Sequence, residues 1–157
     1  MIELDKNLKL SDASAEYINN VAKEKGKEFA NKVKTHQLRN FYSSIEKMRN
    51  QLKILRKLER SKKVMDKTQF TNDAPTVEQK IRELSENIET QLVLLKPKMA
   101  YAAGRIKKVR DLFDFVEWAV DSVTKEKDEK KKFKAYQNFF HLMESVVGYH
   151  KFFEAGK

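Results

Sequence analysis

Residues 35–60 read THQLRNFYSSIEKMRNQLKILRKLER, and this stretch decides the fold. Leu38, Phe41, Tyr42, Ile45, Met48, Leu52 and Leu55 recur at steps of three and four, the spacing that places side chains on one face of an α-helix. On a wheel of about 100° per residue, with Leu38 at zero, they fill an arc from about 260° through zero to about 40°. One flank, from about 0° to about 100°, collects Arg39, Arg49, Lys53, Arg56, Lys57 and Arg60, with only Glu46 intruding. The pattern predicts a helix, capped by Thr35, with a buried face and a basic stripe beside it.

Working outward, Ser11 to Lys34 spaces Tyr17, Ile18, Val21, Ala22, Phe29 and Val33 near the helical period, with Gly26 unfavourably in its middle. Downstream, Asp66–Pro75 is rich in turn formers, and Thr76-Val77-Glu78-Gln79 reads as a capping box. It opens a third helix with Ile81, Leu84, Ile88, Leu92 and Leu95 on its core face, which Pro97 should kink or end. Ile106 to Val123 predicts a fourth helix with Asp111, Asp114, Glu117 and Asp121 toward solvent, followed by a charge-dense hinge at Lys125–Lys132. A last helix carries Phe133, Tyr136, Phe139, Phe140, Met143, Val146, Val147, Tyr149, Phe152 and Phe153 and ends near Gly156. That is more apolar surface than one stripe of a small bundle buries, so part of this helix is expected to meet another protein. The fold class is all-α: a single helical domain over residues 1–157, a bundle of five to six helices, with the docking of the N-terminal helix in 1–34 left open.

Composition narrows the function. Four Gly and two Pro leave almost no turn chemistry for strands, and zero Cys removes disulfides, thiol catalysis and thiolate metal sites. No apolar run approaches the ~20 residues of a membrane span, and the start lacks the basic and apolar regions of a signal peptide, so a soluble, cytoplasmic protein without membrane contact is expected. The three histidines, His36, His141 and His150, show no metal-ligand spacing, and the last two read as structural groups at the rim of the last helix. No phosphate loop, dinucleotide turn or nucleophile elbow is present. The chain reads as no enzyme, with no metal and no cofactor.

Charge points the other way, toward a partner. Residues 35–67 hold ten Lys/Arg against three Asp/Glu, and residues 96–110 hold six against none, so these two blocks exceed the +10 of the whole chain. Blocks of one sign build a field that attracts a polyanion. In the second block stand Lys96, Lys98, Arg105, Lys107, Lys108 and Arg110. Tyr101 and Arg105, four apart, share a helix face. Either they contact a nucleotide's phosphate, sugar or base, or Tyr101 is a core residue with Arg105 packed over it. Tyr42 reads as core rim rather than a stacking platform.

Three stretches carry a family resemblance: Thr35-His36-Gln37-Leu38-Arg39-Asn40-Phe41-Tyr42, then Leu95-Lys96-Pro97-Lys98-Met99-Ala100-Tyr101-Ala102-Ala103-Gly104-Arg105, and the end from Phe139 through Glu144 to Gly148-Tyr149-His150-Lys151-Phe152. From about residue 35 onward the chain resembles the small helical subunit of type III-A CRISPR effector (Csm) complexes, and 35–157 would be the family-like bundle. The resemblance implies a noncatalytic protein serving antiviral defence. Copies of it would stack head to tail, self-associating along the complex, and line, with other subunits, a channel in which guide RNA pairs with target RNA. It also implies that RNA cleavage belongs to the backbone subunits, and nuclease and cyclase work to the large subunit. By position, the family's RNA contacts would fall on Arg39, Arg49, Lys53, Lys98 and Arg105.

The charge reading adds Lys96, Tyr101 and Lys108 to that set. A subunit serving a guide of arbitrary sequence must grip phosphate and sugar without reading bases, which calls for Lys and Arg on rigid helices. The rival reading is a helical protein-interaction module whose basic face meets an acidic protein. The RNA reading requires the neighbourhoods of Arg39 and Arg105, far apart in sequence, to converge into one continuous groove wall, and fails if they lie on opposite sides of the molecule with anionic groups between them.

Overall fold

A computed structural model describes residues 4–68 and 74–156 of the chain, with side chains outside 63–76. The described residues form an all-α bundle without a strand: α1 Ala15–Lys32, α2 Thr35–Thr68, α3 Ala74–Arg105, α4 Arg110–Thr124 and α5 Glu129–Ala155. Short 3₁₀ turns at Leu10–Asp12 and Lys107–Val109 precede α1 and α4.

The last helix is the hub. It packs against α1, α2, α4 and the N-terminal turn, and buries Tyr136, Phe139, Phe140, Leu142, Met143 and Val146. The apolar surplus expected to meet another protein is therefore consumed inside the chain, because a central helix buries several faces rather than one stripe. Phe152 alone among those expected residues is exposed, at 68%. On α2 the predicted face holds: Leu38, Phe41, Ile45, Met48, Leu52 and Leu55 are buried and Tyr42 sits half-buried at the rim. The Tyr136 hydroxyl donates to the Ser85 carbonyl at 3.2 Å, tying α5 to α3, and burial pushes its pKa up to about 12.

Several boundaries differ from expectation. Thr35 does not cap α2: Leu38 N–H donates to the Lys34 carbonyl, the Gln37 side chain accepts from Lys34 N–H at 3.0 Å, and the Thr35 hydroxyl donates instead to Glu154 of α5. The expected capping box falls on a Thr76 side chain outside the described residues, and α3 already begins at Ala74. The expected connection at 66–75 is narrower, since α2 runs to Thr68, and its residues 69–73 lie outside the described residues. Pro97 does not end α3. The carbonyl its ring leaves without a donor belongs to Val93, itself 41% exposed, where water can serve. Ile106 stands outside α4 and is exposed, and within the hinge Glu126 is buried.

The N-terminal segment docks on its own chain. Leu10 is fully buried, and Asn138 Nδ2 donates to the carbonyls of Leu10 at 2.8 Å and Ala13 at 3.4 Å. Trp118 Nε1 donates to the Asp5 carbonyl at 2.9 Å, and Ser14 caps α1 by accepting from Tyr17 N–H. Ser11 Oγ donates to Glu126 at 2.5 Å. That hydrogen bond, joined by one from the Asp128 N–H, holds the Glu126 carboxyl below the usual carboxylate range.

Gly26 explains itself in this packing. A Cβ there would stand 2.5 Å from Tyr149 Cβ and 2.9 Å from the His150 nitrogen, so α1 reaches α5 only because the side chain is missing. Gly26→Ala would raise helix propensity by about 1 kcal/mol in isolation. In the protein it should instead lower stability by about 1–3 kcal/mol through overpacking, read as an earlier urea midpoint. A later midpoint would contradict the close approach.

Glu126→Gln should destabilise the protein at neutral pH, because a carboxyl held below its unfolded value stabilises the fold wherever the unfolded chain has it ionised. That contribution disappears as pH falls through the depressed folded value. Urea midpoints of wild type and variant should accordingly differ near pH 7 and converge in acid. A gap that stays constant with pH would show that ionised Glu126 contributes nothing.

Candidate nucleic-acid interface

The basic stripe of α2 is a real surface feature with one exception. Arg39, Lys53, Arg56, Lys57 and Arg60 are exposed along a length of about 30 Å, 21 steps of about 1.5 Å each. Arg49 is half-buried, paired with Glu144 of α5, and donates to the Tyr42 hydroxyl at 3.2 Å. Tyr42 donates to the same Glu144 at 2.9 Å, and its pKa is raised by burial first and by that carboxylate second. The difference between Arg49 and its neighbours comes from what α5 presents. Arg49, Lys53 and Arg56 line one notch of about 150 Å³, in which α5 offers Glu144, Gln137 and His141, a single carboxylate for three cations.

The second block divides in the same way. Lys96 pairs with Asp121 of α4. Lys98, Tyr101 and Arg105, spaced three and four apart, stand exposed on one outward face of α3. Tyr101 is 69% exposed, which removes the core alternative, and the Arg105 guanidinium lies 5.8 Å from its ring centroid. Such a stacked pair presents a π-face and a planar donor set to solvent, the groups that contact a base and a phosphate. The acids of α4 are not uniformly a solvent face. Asp114 is exposed, but Asp111 and Asp121 are spent on Lys32 and Lys96.

The two blocks meet at a groove of about 940 Å³. Arg39 lines it from α2, and Ile106 and Lys108 line it from the segment after α3. Lys34 and His36, around the α1–α2 corner, complete the wall, beside Lys32, which is paired with Glu28 and Asp111. Arg39, Lys98 and Lys108 are exposed and enter no ion pair among the described residues. Glu154 lines the groove, Glu28 and Asp111 adjoin it through Lys32, and all three are engaged. Glu154 accepts from Thr35 and lies 3.5 Å from His150 Nδ1, while Asp111 hydrogen-bonds Lys32 and thereby raises the ammonium pKa. The field in the groove is thus positive.

Of the residues picked from the sequence, Arg39 and Lys108 come together in the groove, Lys98, Tyr101 and Arg105 share one face, and Lys53 stands on the stripe. Arg49 and Lys96 are neutralised by partners distant in the chain. Lys32 and Lys34 fall just upstream of the basic block at 35–67, and His36, inside it, adds no formal charge to that count, although the run Lys32-x-Lys34-x-His36-x-x-Arg39 holds all four within eight residues.

The histidines need a correction. His150 is no rim residue: it is 1% exposed, and its Nε2 lies 2.7 Å from the Val33 carbonyl, an acceptor, so that nitrogen carries the proton. His141 is exposed at the edge of the notch. Among the described residues no group of three or more side chains is placed to hold a metal ion, and no helix is long and apolar enough to cross a membrane.

The curated protein "CRISPR system Cms protein Csm2" of Enterococcus italicus is 40% identical over 75 residues, covering 46% of this chain and 51% of that protein. The chain therefore spans about half the length of the curated relative it matches. No solved structure matches it. The model of the family described as Csm2 Type III-A aligns with residues 12–156, taking in α1 as well as the stretches from residue 35 onward. On that span, nearly the whole helical bundle, the chain belongs to the Csm2 type III-A family.

Proposed function

We propose that this chain is a noncatalytic scaffold subunit of a cytoplasmic type III-A CRISPR effector complex, holding guide and target RNA by the backbone and stacking with like subunits and with other subunits of the complex. The observation that carries the reading is that Arg39 and Lys108, from segments far apart in sequence, line one groove, while Lys53, Arg56, Lys57 and Arg60 stand exposed further along α2. Among the described residues α2 carries most of these cations on one rigid helix, and the 3₁₀ turn before α4 supplies Lys108. The arrangement suits a strand of arbitrary sequence. Family membership supports the same reading by naming the kind of system in which such a subunit serves.

The reading is tested by binding of RNA to the full chain across a salt series. Each phosphate neutralised should contribute about 0.7 to 0.9 to the slope of log affinity against log salt. Lys53→Gln should lower that slope by roughly that amount, and the reversals Arg39→Glu, Lys53→Glu and Arg105→Glu together should weaken binding to all sequences alike. Charge-balanced removal of an internal pair, Arg49→Gln with Glu144→Gln, should leave the slope unchanged. Salt-independent affinity would overturn the reading. Partner retention after nuclease digestion of the native complex, with no RNA binding by the chain, would favour an acidic protein partner instead.

A further inference from the structure

The groove beneath Arg39 and the stripe that continues along α2 are different kinds of surface. On the stripe, cations project from the outside of a helix and can meet a passing strand from one side only. The groove is concave, and its volume of about 940 Å³ falls in the range that encloses a small-molecule-sized ligand rather than a single phosphate group. Its basic wall comes from separate segments: Lys34 at the α1–α2 corner, Arg39 on α2 and Lys108 in the turn before α4.

Beside the buried Ala30 and Val33, one exposed lining residue has no place in a purely electrostatic grip. Ile106 is a large aliphatic side chain, 43% exposed, set between Arg105 and the lysines of the 3₁₀ turn. Phosphates contact cations and hydrogen-bond donors, and give an aliphatic group nothing to pack on. Base faces do, but in a duplex they are hidden by stacking, so only an unstacked nucleotide can present one to Ile106.

The geometry points to a pocket for a single-stranded ribonucleotide segment, in which Lys34, Arg39 and Lys108 hold neighbouring phosphates while Ile106 covers the face of one unstacked base. This rests on the RNA-binding reading above and adds to it the form of the strand and the place where it leaves the α2 stripe. The α2 stripe serves any RNA; the groove selects an unpaired stretch.

The test uses the full chain with a fluorescent oligouridylate and a blunt RNA duplex, in wild type, Ile106→Ala and Lys57→Gln. Ile106→Ala changes no charge and, being at an exposed site, opens no core cavity. It should weaken oligouridylate binding roughly fivefold while leaving duplex affinity and the salt slope unchanged. Lys57→Gln should weaken both ligands alike. Photocrosslinking of thiouridine-substituted RNA should label the segments around Arg39 and Ile106. Unchanged oligouridylate affinity in Ile106→Ala, with crosslinks confined to α2 beyond Arg39, would overturn the pocket and leave backbone binding standing. Equal loss for both ligands would overturn the single-strand assignment. If wild type binds neither RNA in a salt-dependent manner, the RNA reading fails and the pocket falls with it.

Discussion

Two residues, Val33 and Lys34, carry the chain from α1 into α2, and the basic groove follows from how that corner is held. The His150 imidazole, inside the bundle, donates to the Val33 carbonyl at 2.7 Å. Left without that donor, a buried carbonyl would cost about 1–3 kcal/mol. Thr35 is bound to Glu154 one turn further along α5, and the missing side chain of Gly26 lets α1 lie close enough for these bonds to form. With the corner pinned in this way, α2 leaves it in a single direction. Lys34, His36 and Arg39 then line one open groove together with Lys108.

The cations divide according to what the neighbouring helices offer them. Where α5 presents Glu144 or α4 presents Asp121, the lysine or arginine opposite becomes an internal tie. Being partly exposed, each of these pairs adds little to stability, but each removes a charge from the outward field. Where α5 presents Gln137 and His141, the facing Lys53 and Arg56 stay outward. The stripe is accordingly a property of two helices at once: α2 supplies the positive charge and α5 decides which positions keep it.

This division sets the limit of what the sequence discloses. The buried face of α2 and the exposure of most of its stripe are legible because they depend on helical period alone, which Leu38, Ile45 and Leu52 display without reference to any other segment. Arg49 and Lys96 look identical to their neighbours in sequence, because the carboxylates that neutralise them lie on other helices. Gly26 reads as a weak point in α1 until Tyr149 and His150 are placed against it. The aromatic residues of α5 read as surplus for a similar reason: a count along one helix does not reveal how many neighbours will surround it. Tyr101 could not be assigned between core and surface because spacing fixes a shared face with Arg105 but not which way that face points.

A surface of this kind also bears on the stability of the chain that carries it. With a net charge of +10, much of it on α2 and the segment around Arg105, the folded state gathers like charges that the unfolded chain spreads apart. The core around α5 must offset that repulsion, and it does so with fully buried Phe139, Leu142 and Met143 together with the docked N-terminal turn. A bound polyanion reverses the sign of the effect: whatever binds the folded chain and not the unfolded one stabilises it in proportion to affinity and concentration. The side chains that repel one another in the isolated chain would then help hold the fold together around whatever polyanion binds them.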